Sequence, residues 1–205
     1  MFITFEGLDY SGKTTQATLL VDHLKQIGKQ VLFLREPGGT AVSEKIREIL
    51  LDKKHPEMTQ ATELFLFSAA RAQLVSEIIR PALDEGKVVI CDRFYDSTTA
   101  YQGYGRGLDL QQVKGINMIA IGGVIPDLTI LIDIPTDEII RRRNIAKMSA
   151  DRMELSGNHF YDKVRQGYHA LATEEAHRVI LLDGMKPIQE IHEEILKIIH
   201  QQFKK

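Results

Sequence analysis

The chain has one cysteine, Cys91, among 205 residues, so no internal disulfide can form. That excludes a small disulfide-stapled fold and suits a reducing compartment. Within the run Val88-Val89-Ile90-Cys91 the thiol reads as a small buried hydrophobe, with a nucleophilic role as the alternative. An excess of charge is missing too. The formal net charge is −2, which offers no general field to draw nucleic acid or an anionic membrane. Long apolar runs are absent; none approaches the roughly 20 residues that span a bilayer. The first residues lead straight into a strand pattern, without the layout of a signal peptide. Repeats, low-complexity tracts and Ser/Pro-rich linkers are likewise missing. With 43% hydrophobic residues, the expectation is one cytoplasmic domain over 1–205 with a substantial core.

What is present is an alternation. Short β-branched runs at 2–6, 31–35, 87–91, 128–133 and 178–182 predict five strands. Helical patterns fill the intervals at 13–27, 41–51, 61–85, 109–121, 136–147, 158–176 and 187–203, with Gly28 and Gly86 where helix ends are expected. Strands joined by helical crossovers predict a five-stranded parallel sheet in a three-layer α/β/α sandwich. Ligands on such sheets gather at the carboxyl ends of the strands.

The first strand runs into Gly7-Leu8-Asp9-Tyr10-Ser11-Gly12-Lys13-Thr14-Thr15. This is the G-x-x-x-x-G-K-[ST] phosphate-binding loop. Its glycines let backbone N–H groups converge on phosphate oxygens, Lys13 adds charge, Thr14 offers a hydroxyl to Mg²⁺, and a helix begins with its positive end at the anion. A Gly-rich turn before a helix is the structural alternative.

Four further clusters follow strand ends or border that edge. Arg35-Glu36-Pro37-Gly38-Gly39-Thr40 is a sharp bend beside the nucleotide, or simply the turn that caps a helix at Thr40. Asp92-Arg93-Phe94 places a carboxylate where it can hold Mg²⁺ and an arginine that can fork onto phosphate, unless the two only cap and pair. Phe67 and Arg71 share a helix face, able to stack a base and bond its carbonyl; core packing and solvation are the plain alternatives. The basic stretch Arg141-Arg142-Arg143, Lys147 and Asp151-Arg152-Met153-Glu154 could close over a γ-phosphate, or be solvated helix charge.

Taken in order, 5–15, 35–40, Leu66–Arg71, Asp92–Phe94, Ser97–Gly103, Asp151–Glu154 and Val164–Tyr168 resemble thymidylate kinase of the bacterial type across nearly the whole chain. The resemblance implies a P-loop kinase that moves the γ-phosphate of ATP to dTMP, with Mg²⁺, as a homodimer. It implies that Phe67 stacks on thymine, Arg71 bonds its O4, Thr98 meets its N3 edge and Tyr101 crowds the sugar's 2′ position. Glu36, Pro37, Ser97 and Gln102 complete the acceptor site, with Glu36–Pro37 a cis peptide. Asp9 takes the 3′-hydroxyl and lies near the metal, which Thr14 and Asp92 hold. Arg93 clamps the acceptor phosphate. The catalytic set is Lys13, Arg93, Arg152 and Asp9, with Arg152 supplied by a lid at about 144–156 and Arg142 and Arg143 helping at ATP. One departure is Tyr10, where the bacterial type usually has a small residue and the eukaryotic type an arginine. Other deoxynucleoside or nucleotide kinases, and a nucleotide-binding switch, are the alternatives to this function.

Overall fold

The structure is a computed structural model that describes residues 1–146, 152–153 and 157–203. Five parallel strands form one sheet: β1 (Phe2–Glu6), β2 (Val31–Arg35), β3 (Val88–Asp92), β4 (Leu128–Asp133) and β5 (Val179–Asp183). Their order is β2-β3-β1-β4-β5. β1 is central, bonded to β3 in the register Phe5↔Asp92 and to β4 in the register Glu6↔Leu131. All five of its residues are buried, as a strand covered on both faces requires. Expectation and structure agree on five parallel strands; β3 and β5 each sit one residue later than predicted.

Nine α-helices follow among the described residues: α1 (Lys13–Gln26), α2 (Ala41–Leu51), α3 (Gln60–Leu74), α4 (Arg80–Asp84), α5 (Tyr95–Thr98), α6 (Leu110–Ile121), α7 (Thr136–Ala146), α8 (Asn158–Glu174) and α9 (Ile188–Gln202). Alternate residues of β1 feed opposite layers. Ile3 and Phe5 join Leu20 and Leu24 of α1 and Ile195 and Ile199 of α9. Phe2 joins Leu74, Val75, Ile79 and Ile121 on the other face. A third cluster lies at the carboxyl edge, where Leu8, Tyr101, Phe160, Tyr161, Val164 and Tyr168 pack together. Cys91 is buried, and burial pushes its thiol well above the ordinary range, so the hydrophobe reading holds. Among the described residues no helix is long and apolar enough to cross a membrane.

Two helical expectations need correction. The pattern at 61–85 is not one α-helix: a π-turn at Val75–Ile79 divides α3 from α4. Pro81 occupies the first turn of α4, where its missing N–H is tolerated, and the wider turn precedes it. Residues 95–105 are helical although no helix was predicted there, as α5 and a π-turn at Thr99–Gly105. Gly103 and Gly105 weaken the local propensity. Packing overrides it, since a Cβ on Gly105 would stand 2.7 Å from both Phe160 and Val164 of α8. Of the expected lid, residues 147–151 and 154–156, with Lys147, Asp151 and Glu154, lie outside the described residues.

Candidate active site

The phosphate-binding loop leaves β1 at Gly7 and enters α1 at Lys13. Gly7 has φ +140 and a Cβ there would collide with the Ile132 carbonyl; Gly12 has φ +97. Tyr10, at φ 62, takes the same left-handed region at some steric cost. Gly12 precedes α1 and offers no side-chain cap, so the first N–H groups of the helix are left to an anion, and no acidic residue in its first turn repels one. Lys13 is 7% exposed, and its Nζ donates to Leu8 O at 3.2 Å. Burial, then Arg93, lower its pKa. Thr15 lies exposed in the same first turn. Thr14 Oγ1 donates to Asp92 Oδ2, and Asp92 Oδ1 is buried without a hydrogen-bond partner. A hydroxyl and an unspent carboxylate oxygen beside a phosphate cradle fit a small hard cation.

Next to this loop is an open cleft that also takes in Arg47, Leu51, Phe94 and Met153. It gathers Asp9, Glu36, Pro37, Phe67, Arg71, Arg93, Ser97, Thr98, Tyr101 and Gln102, the whole acceptor set named from sequence. Its far end is polar and buried. Arg71 is 1% exposed; its Nε lies 2.8 Å from the Glu36 carboxylate and its Nη2 donates to Thr98 Oγ1 at 2.9 Å. Burial pushes Glu36 up to about 7, with Arg71 opposing. The Glu36–Pro37 peptide is cis.

Arg93 holds the near end. It is non-glycine at φ 71, a conformation that costs about 1–3 kcal/mol unless its surroundings impose it. Its Nη2 donates to Asp9 Oδ1 at 2.6 Å and to the Tyr101 hydroxyl at 3.2 Å. Asp9 Oδ2 accepts from Tyr101 at 3.2 Å and Tyr161 at 3.0 Å. Burial pushes Asp9 up, but Arg93, Lys13 and the Tyr161 hydroxyl outweigh it, so the group titrates below its ordinary range. Asp9 was expected near the metal as well. Its two oxygens accept from Arg93, Tyr101 and Tyr161, all lining or bordering the cleft.

The lid arginines part company. Arg142 lies on the phosphate loop: Nη1 donates to Tyr10 O at 3.2 Å, Nη2 to Gly184 O at 3.0 Å, and Glu138 pairs with its Nε at 2.7 Å. Arg143 borders a separate pocket with Asn158 and Tyr161. Arg152 was expected over the γ-phosphate. Its described side-chain partners are Glu63, at 2.7 Å, Leu50 O, also at 2.7 Å, and Met153 Sδ, at 3.5 Å, and none belongs to the phosphate loop. The cause is Glu63, 1% exposed, which also takes Gln102 and Arg106. Burial pushes that carboxyl up; Arg106, Gln102 and Arg152 together hold it below its ordinary range. Beside Arg152, Met153 is buried and lines the cleft.

Sequence reading passed over Glu6 and Glu63, both fully buried acids, and Tyr161. Each had a signal. Glu6 is the one ionisable residue of the central strand. Tyr161 and Tyr168 are seven apart and therefore on one face of α8. Burial pushes the Glu6 carboxyl up to about 7, and Asp96 adds to this; Arg93, Ser97 and the Phe94 N–H pull the other way.

The family model described as thymidylate kinase matches residues 5–195. A thymidylate kinase of Chlorobium luteolum is 50% identical, over 100% of this chain and 99% of its own. One from Caldanaerobacter subterraneus subsp. tengcongensis is 49% identical, over 99% and 96%. The crystal structure of the Ehrlichia chaffeensis thymidylate kinase superposes with a TM-score of 0.80 at 38% identity, covering 98% of each chain.

Proposed function

This chain belongs to the thymidylate kinase family, and from that premise we propose that it transfers the γ-phosphate of ATP to dTMP to give dTDP. The observation that carries the reading is the pairing of two adjoining sites. One is an uncapped helix start with Lys13; the other is a cleft with Phe67 on its wall and an arginine at each end.

The acceptor is a phosphate monoester, mostly dianionic near pH 7, and needs no general base. The protein's task is to bring two anions together and align them. The phosphate loop, Lys13 and Arg142 take ATP. Arg93 takes the acceptor phosphate, and Asp9, held by Tyr101 and Tyr161, takes the 3′-hydroxyl. Phe67 offers its ring to the base, and Arg71 with Thr98 its polar edge. Mg²⁺, held by Thr14 and Asp92, would screen the repulsion between phosphates. The test is product analysis with ATP, Mg²⁺ and a panel of nucleosides and monophosphates. dTDP from dTMP is expected; phosphorylation of a nucleoside instead, or of nothing, sinks the reading.

Tyr101 sets sugar selectivity in this reading. Its ring is wedged against Phe160, Tyr168 and Tyr161 with centroids 5.9, 6.3 and 6.5 Å away, so it cannot yield to a 2′-hydroxyl. Tyr101→Ala is expected to raise kcat/KM for the ribonucleotide relative to dTMP by about tenfold, the scale of a small steric discrimination. Tyr101→Phe is expected to keep the wild-type ratio. An unchanged ratio in Tyr101→Ala removes the role.

Arg152, as placed, fastens Met153 over the acceptor cleft. Arg152→Ala is therefore expected to weaken dTMP binding by about tenfold in calorimetry, the scale of a lost charge-assisted bond. A fall in kcat of about 10³ with dTMP affinity intact would instead return it to the transition state.

Two copies are expected to associate. Val42 and Ile49 of α2, Phe65 of α3 and Ile119 of α6 are exposed on three helices that pack side by side. Sedimentation equilibrium giving the mass of one chain would remove that expectation.

A further inference from the structure

Glu6 does not line the cleft, yet it touches what aims Arg93. It ends β1, fully buried. Its Oε1 accepts from the backbone N–H of Phe94 at 2.7 Å and of Ser97 at 3.3 Å. Its Oε2 accepts from Ser97 Oγ at 2.5 Å and from the Tyr168 hydroxyl at 2.9 Å. A hydroxyl has one proton. The two hydroxyl oxygens also lie 2.9 Å from each other, where either could donate; when Glu6 is ionised and takes the proton of each, only lone pairs remain on both oxygens. Those oxygens lie 3.1 and 3.2 Å from Arg93 Nη1, which can only donate. Gly7 O, at 2.9 Å, is the third acceptor on the same nitrogen. The opposite nitrogen, Nη2, is the one that faces Asp9 and Tyr101 in the cleft.

We propose that Glu6 is a positioning residue for phosphate recognition: by drawing the protons of Ser97 and Tyr168 it turns both hydroxyls into acceptors for Arg93 and fixes the aim of that guanidinium. The proposal rests on the reading of Arg93 as the clamp on the acceptor phosphate. Glu6 itself touches neither substrate. An amide at this position keeps the volume but reverses part of the hydrogen bonding. With its carbonyl on the Phe94 N–H, the amide nitrogen faces Ser97 and Tyr168, and their protons are displaced onto each other or towards Arg93.

The experiment compares calorimetric binding of dTMP and of thymidine, which lacks the phosphate, to wild type, Glu6→Gln, Tyr168→Phe and Arg93→Ala. Glu6→Gln is expected to raise the Kd of dTMP about tenfold and leave that of thymidine within about twofold, since only the charged bond is disturbed. Tyr168→Phe keeps the ring and removes one of the two relays, so a smaller rise of about threefold for dTMP alone is expected; it carries the test if Glu6→Gln does not fold. Equal weakening of both ligands means that Glu6 only supports the pocket, and overturns the proposal. So does a dTMP Kd within about twofold of wild type in Glu6→Gln while Arg93→Ala binds dTMP poorly. If Arg93→Ala itself binds dTMP as wild type does, the clamp reading falls, and the proposal with it.

Discussion

Lys13→Ala will keep the fold and lose on the order of 10²–10³ in kcat, the scale of removing one preorganised donor to developing charge. Lys13 is the one cation of the phosphate loop, and it projects from the first residue of an uncapped helix. Nothing else in the loop carries a positive charge; Tyr10 stands where an arginine could have been. Among the described residues Lys13 donates to a backbone carbonyl within its own loop, so its loss should move Tm little. Lys13→Met, which keeps the buried stem, should be as inactive as Lys13→Ala. Steady-state kinetics beside a thermal melt check both statements. A kcat within about tenfold of wild type would mean that the loop's N–H groups and Arg142 suffice, and that Lys13 is not the donor-site cation.

Arg71→Ala is expected to cost about 3–5 kcal/mol of stability, the scale of leaving one partner of a buried ion pair alone. Arg71 and Glu36 have side chains 1% and 2% exposed. Arg71 also bonds Asn117 and Thr98, so its removal strands several buried acceptors at once. The loss should carry a pH signature. The Glu36 carboxyl already sits at about 7 with Arg71 beside it, above its ordinary 4.5, because of burial. Without Arg71 it rises further. A carboxyl with a raised folded pKa makes the native state bind more protons than the unfolded chain, so stability falls as pH rises through that interval. The destabilisation of Arg71→Ala should therefore shrink as the pH is lowered from 8 to about 6. Replacing both residues, as Glu36→Gln with Arg71→Met, should recover stability but not dTMP binding. Denaturant melts at several pH values test this; a pH-independent loss would place the cost in the cavity instead of the stranded carboxyl.

Both expectations began as sequence patterns, but they were legible to different degrees. The phosphate loop is contiguous, and its geometry follows from residue type alone: glycine where φ is positive, Lys and Thr at the helix start. The strands were equally legible, because apolar β-branched runs between helical patterns leave few parallel arrangements. Arg71 was not legible in the same way. A helical arginine is usually solvated, and nothing local says that Glu36, 35 positions earlier, will meet it in the interior.

The helix at 95–105 shows the same boundary. Its glycines argue against helix locally, and only the approach of α6 to Gly103 and of α8 to Gly105 makes them necessary. Arg152 shows it again: its motif is plain in the sequence, yet its partner is Glu63, and a buried acid on another helix decides where a long, freely rotating cation comes to rest. Determined by the chain itself, then, were the parallel sheet and the phosphate loop, since each depends on periodicity or on adjacent residues; the acceptor residues were named by resemblance. Decided by tertiary structure were Glu6 behind Arg93, Glu63 behind Arg152, and Asp9 turned towards the cleft. Those depend on which charges share a water-poor space, and Coulomb forces there reach across elements far apart in sequence.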